Sequence, residues 1–168
     1  MEATVNSGSA ATDVIGDAFR QHEPWLRRRI TFMVGDPEEA RDIVQQTFVR
    51  AAEHGPWPDG DDGRRWLATV AFRLAVTELR RRKRWGFLPV RDSDATWALD
   101  VDPDLWTSIA SLDPKVRAVL VLTVLDGYSQ EEVASVFNIP RGTISSWLSR
   151  ARDRLRPILE VPNDARRR

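Results

Sequence analysis

The chain contains no cysteine, so neither a disulfide nor a thiolate metal site holds it together. Its two histidines, His22 and His54, are far apart and fall in no metal-ligand spacing. No apolar run approaches the roughly 20 residues that span a bilayer, which excludes membrane insertion by a helix as an expectation. The opening residues, MEATVNSGSAAT, have neither the basic nor the apolar region of a secretory signal, so a cytoplasmic protein with a disordered tail over residues 1–12 is expected. Lysine is nearly absent, with only Lys83 and Lys115, so positive charge here means arginine. No nucleophile–base pair or metal cluster is legible. The sequence therefore argues against an enzyme and calls for no cofactor. Asp59, Asp61 and Asp62 are close enough to suggest a cation site, but a solvated loop is the simpler reading.

What is present is charge of both signs, sorted into blocks. The formal net charge is zero, with 25 basic and 25 acidic residues. Residues 1–63 are acidic on balance, residues 64–85 carry eight bases against Glu78 alone, and residues 86–114 set Arg91 against six aspartates. Residues 115–168 are basic again. Such segregation points to separate partner surfaces, two of them suited to nucleic acid.

Hydrophobic periodicity predicts an all-α fold in two small helical lobes joined by a flexible acidic linker. A first helix is expected over about Asp13–Met33, with Ile15, Phe19, Leu26, Ile30 and Met33 inward. Asp36, Pro37 and Glu39 form a helix-start signal. The second helix then runs to about His54 and buries Ala40, Ile43, Val44, Thr47, Phe48 and Ala51. The turn-rich GPWPDGDDG (residues 55–63) connects it to a third helix over about Arg64–Arg84. The apolar face of that helix is Leu67, Val70, Ala71, Leu74, Ala75 and Leu79. Its polar stripe holds Thr69, Arg73, Thr77, Arg80 and Arg84. Arginines on one side of a helix neutralise phosphate. Trp66, at the upper end, is either a stacking surface for a base or part of the core. Residues 13–85 thus form a first domain, residues 86–103 a linker, residues 104–160 a second domain and residues 161–168 a basic tail. In the second domain Leu105, Ile109 and Leu112 suggest a short helix. Asp113 and Pro114 start another, with Val116, Val119, Leu120 and Val124 inward and Gly127 as its stop.

The most informative stretch is YSQEEVASVFNIPRGTISSWLSRARDRLR, residues 128–156. Ser129 and Glu132 are spaced as a capping box. Val133 and Phe137 give the short helix that follows one apolar face, and Asn138 suits a left-handed turn. Ile144, Leu148, Ala151 and Leu155 then form one stripe of a second helix that Pro157 should end. Gly142, Ser146, Ser149, Arg150 and Asp153 lie opposite. Short hydroxyls and an arginine can reach base edges and phosphates, so this is a helix-turn-helix with DNA as its expected ligand.

Two segments together resemble a known family. DPEEARDIVQQTFVRAAEH (residues 36–54), followed by RRWLATVAFRLAVTELRRRKR (residues 64–84), resembles region two of bacterial extracytoplasmic-function (ECF) sigma factors. LDPKVRAVLVLTVLDGYSQEEVASVFNIPRGTISSWLSRARDRLR (residues 112–156) resembles their region four. The resemblance implies core RNA polymerase and promoter DNA as partners, with an anti-sigma factor as a further candidate. It places polymerase contacts at Asp42, Gln45, Gln46 and Arg50. It places contacts to the −10 element at Trp66, Thr69, Arg73, Thr77, Arg80 and Arg84. Contacts to the −35 element fall at Arg141, Thr143, Ser145, Ser146, Ser149 and Arg150. The chain departs from the family pattern, which commonly has Asn at position 73, Asp at 77, a basic residue at 145, Arg at 147 and Ser at 140. Those departures keep open a second reading, a sigma-like DNA-binding regulator or interaction module that no longer melts promoters.

Overall fold

The computed structural model describes residues 6–54, 60–84 and 102–160. Among these residues there are seven α-helices and no strand: α1 (Asn6–Val34), α2 (Pro37–His54), α3 (Gly60–Arg84), α4 (Pro103–Ala110), α5 (Pro114–Leu120), α6 (Gln130–Phe137) and α7 (Arg141–Leu159). A five-residue π-turn, Val121–Leu125, continues α5. Helices α1–α3 pack on one another as the first lobe, and α4–α7 form the second. The acidic linker and the basic tail lie almost wholly outside the described residues, as does Asp59.

Local signals explain most helix ends. The Asp36 carboxylate accepts from the Glu38 and Glu39 amides at 2.9 and 3.0 Å, and Pro37 occupies the first helical position, where no N–H is needed. Asp102 and Asp113 cap α4 and α5 in the same way, each followed by a proline. Helix α2 buries the six residues its periodicity predicts.

Five expectations need correction. Helix α1 begins at Asn6, so the N-terminal segment read as a tail is partly helical; Ala10 and Ala11 are strong helix formers and no proline precedes Pro24. Helix α3 begins at Gly60, four residues early. Asp61 and Asp62 fall not in a loop but in its first turn, where carboxylates complement the helix dipole. Helix α7 continues through Pro157 to Leu159. The inward set predicted for α5 also fails at its end: Val124 is 67% exposed. The π-turn widens the backbone there and rotates Val124 off the buried face. Phe19, expected inside, is 43% exposed and lies edge-on to Phe48 at 4.9 Å.

The two lobes share one continuous core rather than standing apart. Trp106 of α4 is its plug. It meets Phe32 of α1 edge-on at 5.3 Å and covers Gly35. Gly35 has φ of 78°, and a Cβ there would come within 2.8 Å of the indole, so both backbone and space require glycine. Arg117 of α5 is buried and donates to the carbonyl oxygens of Met33, at 2.6 Å, and of Ala110. It thereby ties the end of α1 to the second lobe.

Glu39 of α2 pairs with Arg82 of α3 in a largely buried site. Burial pushes its carboxyl up to about 7, aided by Glu78 and Asp36 and opposed by Arg82. A carboxyl raised on folding favours the native state while it is protonated. Its contribution is therefore full below about 4.5 and fades as pH rises through about 7. Glu39→Gln mimics the protonated form. The variant should match the wild type in thermal melts at pH 5 and exceed it at pH 8. An equal offset at both pH values would refute this assignment.

Candidate nucleic-acid interface

The helix-turn-helix is built as its sequence implies. Ser129 Oγ accepts from the Glu132 amide at 3.2 Å, and the Glu132 carboxylate accepts from the Ser129 amide at 2.7 Å. The bond from the Ser129 amide first, and then the Ser129 side chain, hold the Glu132 carboxyl below its usual range. Asn138 adopts the left-handed conformation, φ 51° and ψ 53°, and turns the chain into α7. Ile144, Ala151 and Leu155 are buried and Leu148 is half-buried, which fixes the rotation of α7. Ser145, Ser146, Ser149 and Arg150 are then all exposed on the opposite side, with Arg141 beside the helix start and Thr143 half-buried. Ser146 donates back to the Gly142 carbonyl at 2.9 Å, and Arg150 Nε to the Ser146 carbonyl at 3.3 Å. Arg141 pairs with Glu131 at 2.9 Å. Pro140 provides no side-chain cap, so the first turn of α7 presents backbone amides that no capping side chain occupies. Trp147 is half-buried and packs against the core.

On α3, Leu67, Ala68, Ala71, Phe72, Ala75, Val76 and Leu79 are buried. Arg73, Thr77, Arg80 and Arg84 are exposed and Thr69 is half-exposed, so five of the six residues singled out share the outer side. Trp66 is half-buried, packs against the core and faces His54 at 5.0 Å. Its indole is thus largely a packing group. Thr69 and Thr77 turn their hydroxyls onto the carbonyls of Arg65 and Arg73. Arg73 Nε donates to the Val136 carbonyl, in the last turn of α6, at 2.7 Å.

Asp42, Gln45, Gln46 and Arg50 are exposed on α2, as the buried set requires. With Val49 and Glu53 they line one open cleft of about 350 Å³. Val49 is 52% exposed, an apolar centre in a polar rim that periodicity did not single out.

A larger groove, about 430 Å³, was not legible in the sequence. It runs between α1 and the second lobe. Phe32, Leu105, Ile109, Val121, Val124 and Leu159 line it, and Arg28, Arg29 and Arg152 stand at it. Its exposed apolar residues come from the π-turn and from the helix that continues past Pro157. Among the described residues, no group of acidic or histidine side chains is placed to hold a metal ion, and no helix is long and apolar enough to cross a membrane.

Comparisons with known proteins fall on these same two lobes. Residues 18–85 match the family model for Sigma-70 region 2, and residues 104–155 match that for Sigma-70, region 4. The chain is 30% identical to the ECF RNA polymerase sigma factor SigE of Mycolicibacterium smegmatis, over 91% of this chain and 68% of that protein. It is 29% identical to the ECF RNA polymerase sigma factor EcfG of Rhodopseudomonas palustris, over 89% and 87%. Its fold is similar to that of the sigma factor RpoE in a co-crystal with the anti-sigma factor NepR from Bartonella quintana. There the TM-score is 0.63 and the identity 24%, covering 88% of this chain and 98% of that one.

Proposed function

This chain belongs to the ECF RNA polymerase sigma factors, which direct transcription initiation, and from that premise we propose how its surfaces divide the work. The observation that carries the reading is the outward stripe of α7. The core-facing residues fix that helix in rotation, and Ser145, Ser146, Ser149 and Arg150 face away from the protein. These side chains take the −35 element in the major groove. Arg141, Thr143 and the uncapped amides of the first turn hold a flanking phosphate. The outer side of α3, with Thr69, Arg73, Thr77, Arg80 and Arg84, takes the −10 strand through its phosphates. Trp66 shapes that surface from behind rather than stacking on a base. The protein works in the cytoplasm and catalyses nothing itself; the chemistry belongs to the polymerase.

The α2 cleft docks on core polymerase. Asp42→Arg should weaken core binding by at least about tenfold, a cost of about 1.4 kcal/mol. The melting curve should barely move, because an exposed substitution changes stability by less than about 0.5 kcal/mol. Titration of labelled protein with core polymerase checks this, and wild-type affinity in the variant would move the docking site elsewhere.

The groove between α1 and the second lobe suits an anti-sigma partner. The sigma factor with the similar fold is itself bound to one. An amphipathic helix could bury its apolar face on Val124 and Leu159 and set acidic residues against Arg28 and Arg152.

A further inference from the structure

The groove between α1 and the second lobe has the build of a small-molecule site. Its floor is apolar: Phe32, Ile109, Val121 and Leu155, each from a different element, are all buried. Its rim is apolar too, since Val124 and Leu159 are 67% and 60% exposed. Its volume of about 430 Å³ falls within the roughly 300–1,000 Å³ of ligand pockets. A helix with its side chains is roughly 10–12 Å across, so a helical partner puts only a few side chains into such a space. A single hydrocarbon chain lies in it whole and removes its apolar surface from water.

The charge at the groove has one sign. Arg28 and Arg29 from α1 and Arg152 from α7 line it, and among the described residues no carboxylate does. Arg29 is already engaged: its Nε donates to Asp126 at 2.6 Å and its Nη2 to the Leu125 carbonyl at 3.1 Å. Arg28 and Arg152 are exposed, and neither forms an ion pair with a described residue. Two guanidinium groups without a counter-charge, beside an apolar channel, complement an anionic head on an aliphatic tail. A carboxylate suits them, because both of its oxygens accept from the planar fork of an arginine. A cationic ligand meets like charge there and no acid.

We propose that this groove binds a free aliphatic carboxylate of medium chain length, with the chain on Phe32, Ile109, Val121 and Leu155 and the head at Arg28 and Arg152. Such a site goes beyond the partner reading above, because the chain alone forms it. Competition between the ligand and an anti-sigma helix rests on that reading; ligand binding does not. The test is a fluorescence titration of the full chain with dansyl-labelled undecanoate. Laurate and lauryl alcohol then compete for the bound probe, all below the concentrations at which they aggregate. Saturable binding with one probe per chain is expected. Lauryl alcohol should compete at least about tenfold less well than laurate, the loss of one charge-assisted hydrogen bond. Arg28→Gln with Arg152→Gln should weaken laurate by a similar factor and leave the alcohol unchanged. Val124→Asp should abolish binding and Val124→Leu retain it, both with melting curves near that of the wild type, because position 124 is exposed. The arginine pair supplies the measurement if Val124→Asp loses helicity. Equal competition by acid and alcohol in the wild type would remove the head-group site and overturn the proposal. Probe binding that none of these substitutions changes would place the ligand elsewhere and overturn it too. Sedimentation with phosphatidylglycerol vesicles, lost in the same variants and not reversed by laurate, would make the groove a membrane contact and overturn the free ligand. None of these outcomes touches the anti-sigma reading, which a binding partner tests separately.

Discussion

Replacing Arg80 and Arg84 together by alanine is expected to cripple promoter opening while leaving the fold intact. Both side chains are exposed toward the C-terminal end of α3, and neither contributes to the core. If each neutralises one phosphate of a single strand, each contributes about 0.7 to the slope of log affinity against log salt. Losing two removes about 1.4 from that slope. Over a fourfold rise in salt the wild type then loses about sevenfold more affinity than the variant. The defect is thus largest at low salt. Permanganate reactivity of unpaired thymines in holoenzyme complexes measures it at each salt concentration. Equal reactivity and equal slope in the two proteins would remove these arginines from the DNA path.

The second large effect is expected at Arg150. It is exposed on the outward face of α7, with its Nε on the Ser146 carbonyl. A bidentate contact to a guanine is worth about 1–3 kcal/mol of discrimination, or roughly five- to 150-fold. Arg150→Ala should therefore flatten the preference at one position of the −35 element. Ser146→Ala should have a smaller effect, because its hydroxyl already serves the Gly142 carbonyl. Holoenzyme binding to single-base promoter variants separates the cases. Loss at one position means base readout, and a uniform loss means phosphate contact. No loss in either variant would mean that another face of α7 meets DNA.

The parts legible in the sequence are those fixed by nearest-turn chemistry. The Ser129–Glu132 box, the left-handed Asn138 and the six buried residues of α2 all depend on side chains a few positions apart. The outward stripe of α7 follows from its inward one. Less legible was anything set by a backbone carbonyl of a distant element. Arg73 finds Val136, Arg117 finds Met33 and Arg29 finds Leu125 through carbonyl oxygens, which every residue possesses and no sequence pattern marks. The joining of two lobes into one core was hidden for that reason. Trp106 was hidden too, since its partner is the empty space above Gly35. The groove escaped because it depends on the π-turn. One widened turn moves Val124 from the expected interior to the surface, and no residue in VLTVL announces it.

Reconstituted transcription tests most directly whether this chain directs promoter-specific initiation. Purified protein and core RNA polymerase would be incubated with genomic DNA of the host, and the 5′ ends of the transcripts mapped. New start sites that need both components and share a bipartite upstream motif are expected. Weak, non-selective DNA binding by the protein alone is expected at physiological salt, because its overall charge is neutral. Protein-dependent starts without a shared motif, no new starts at all, or tight sequence-specific binding without polymerase would contradict it.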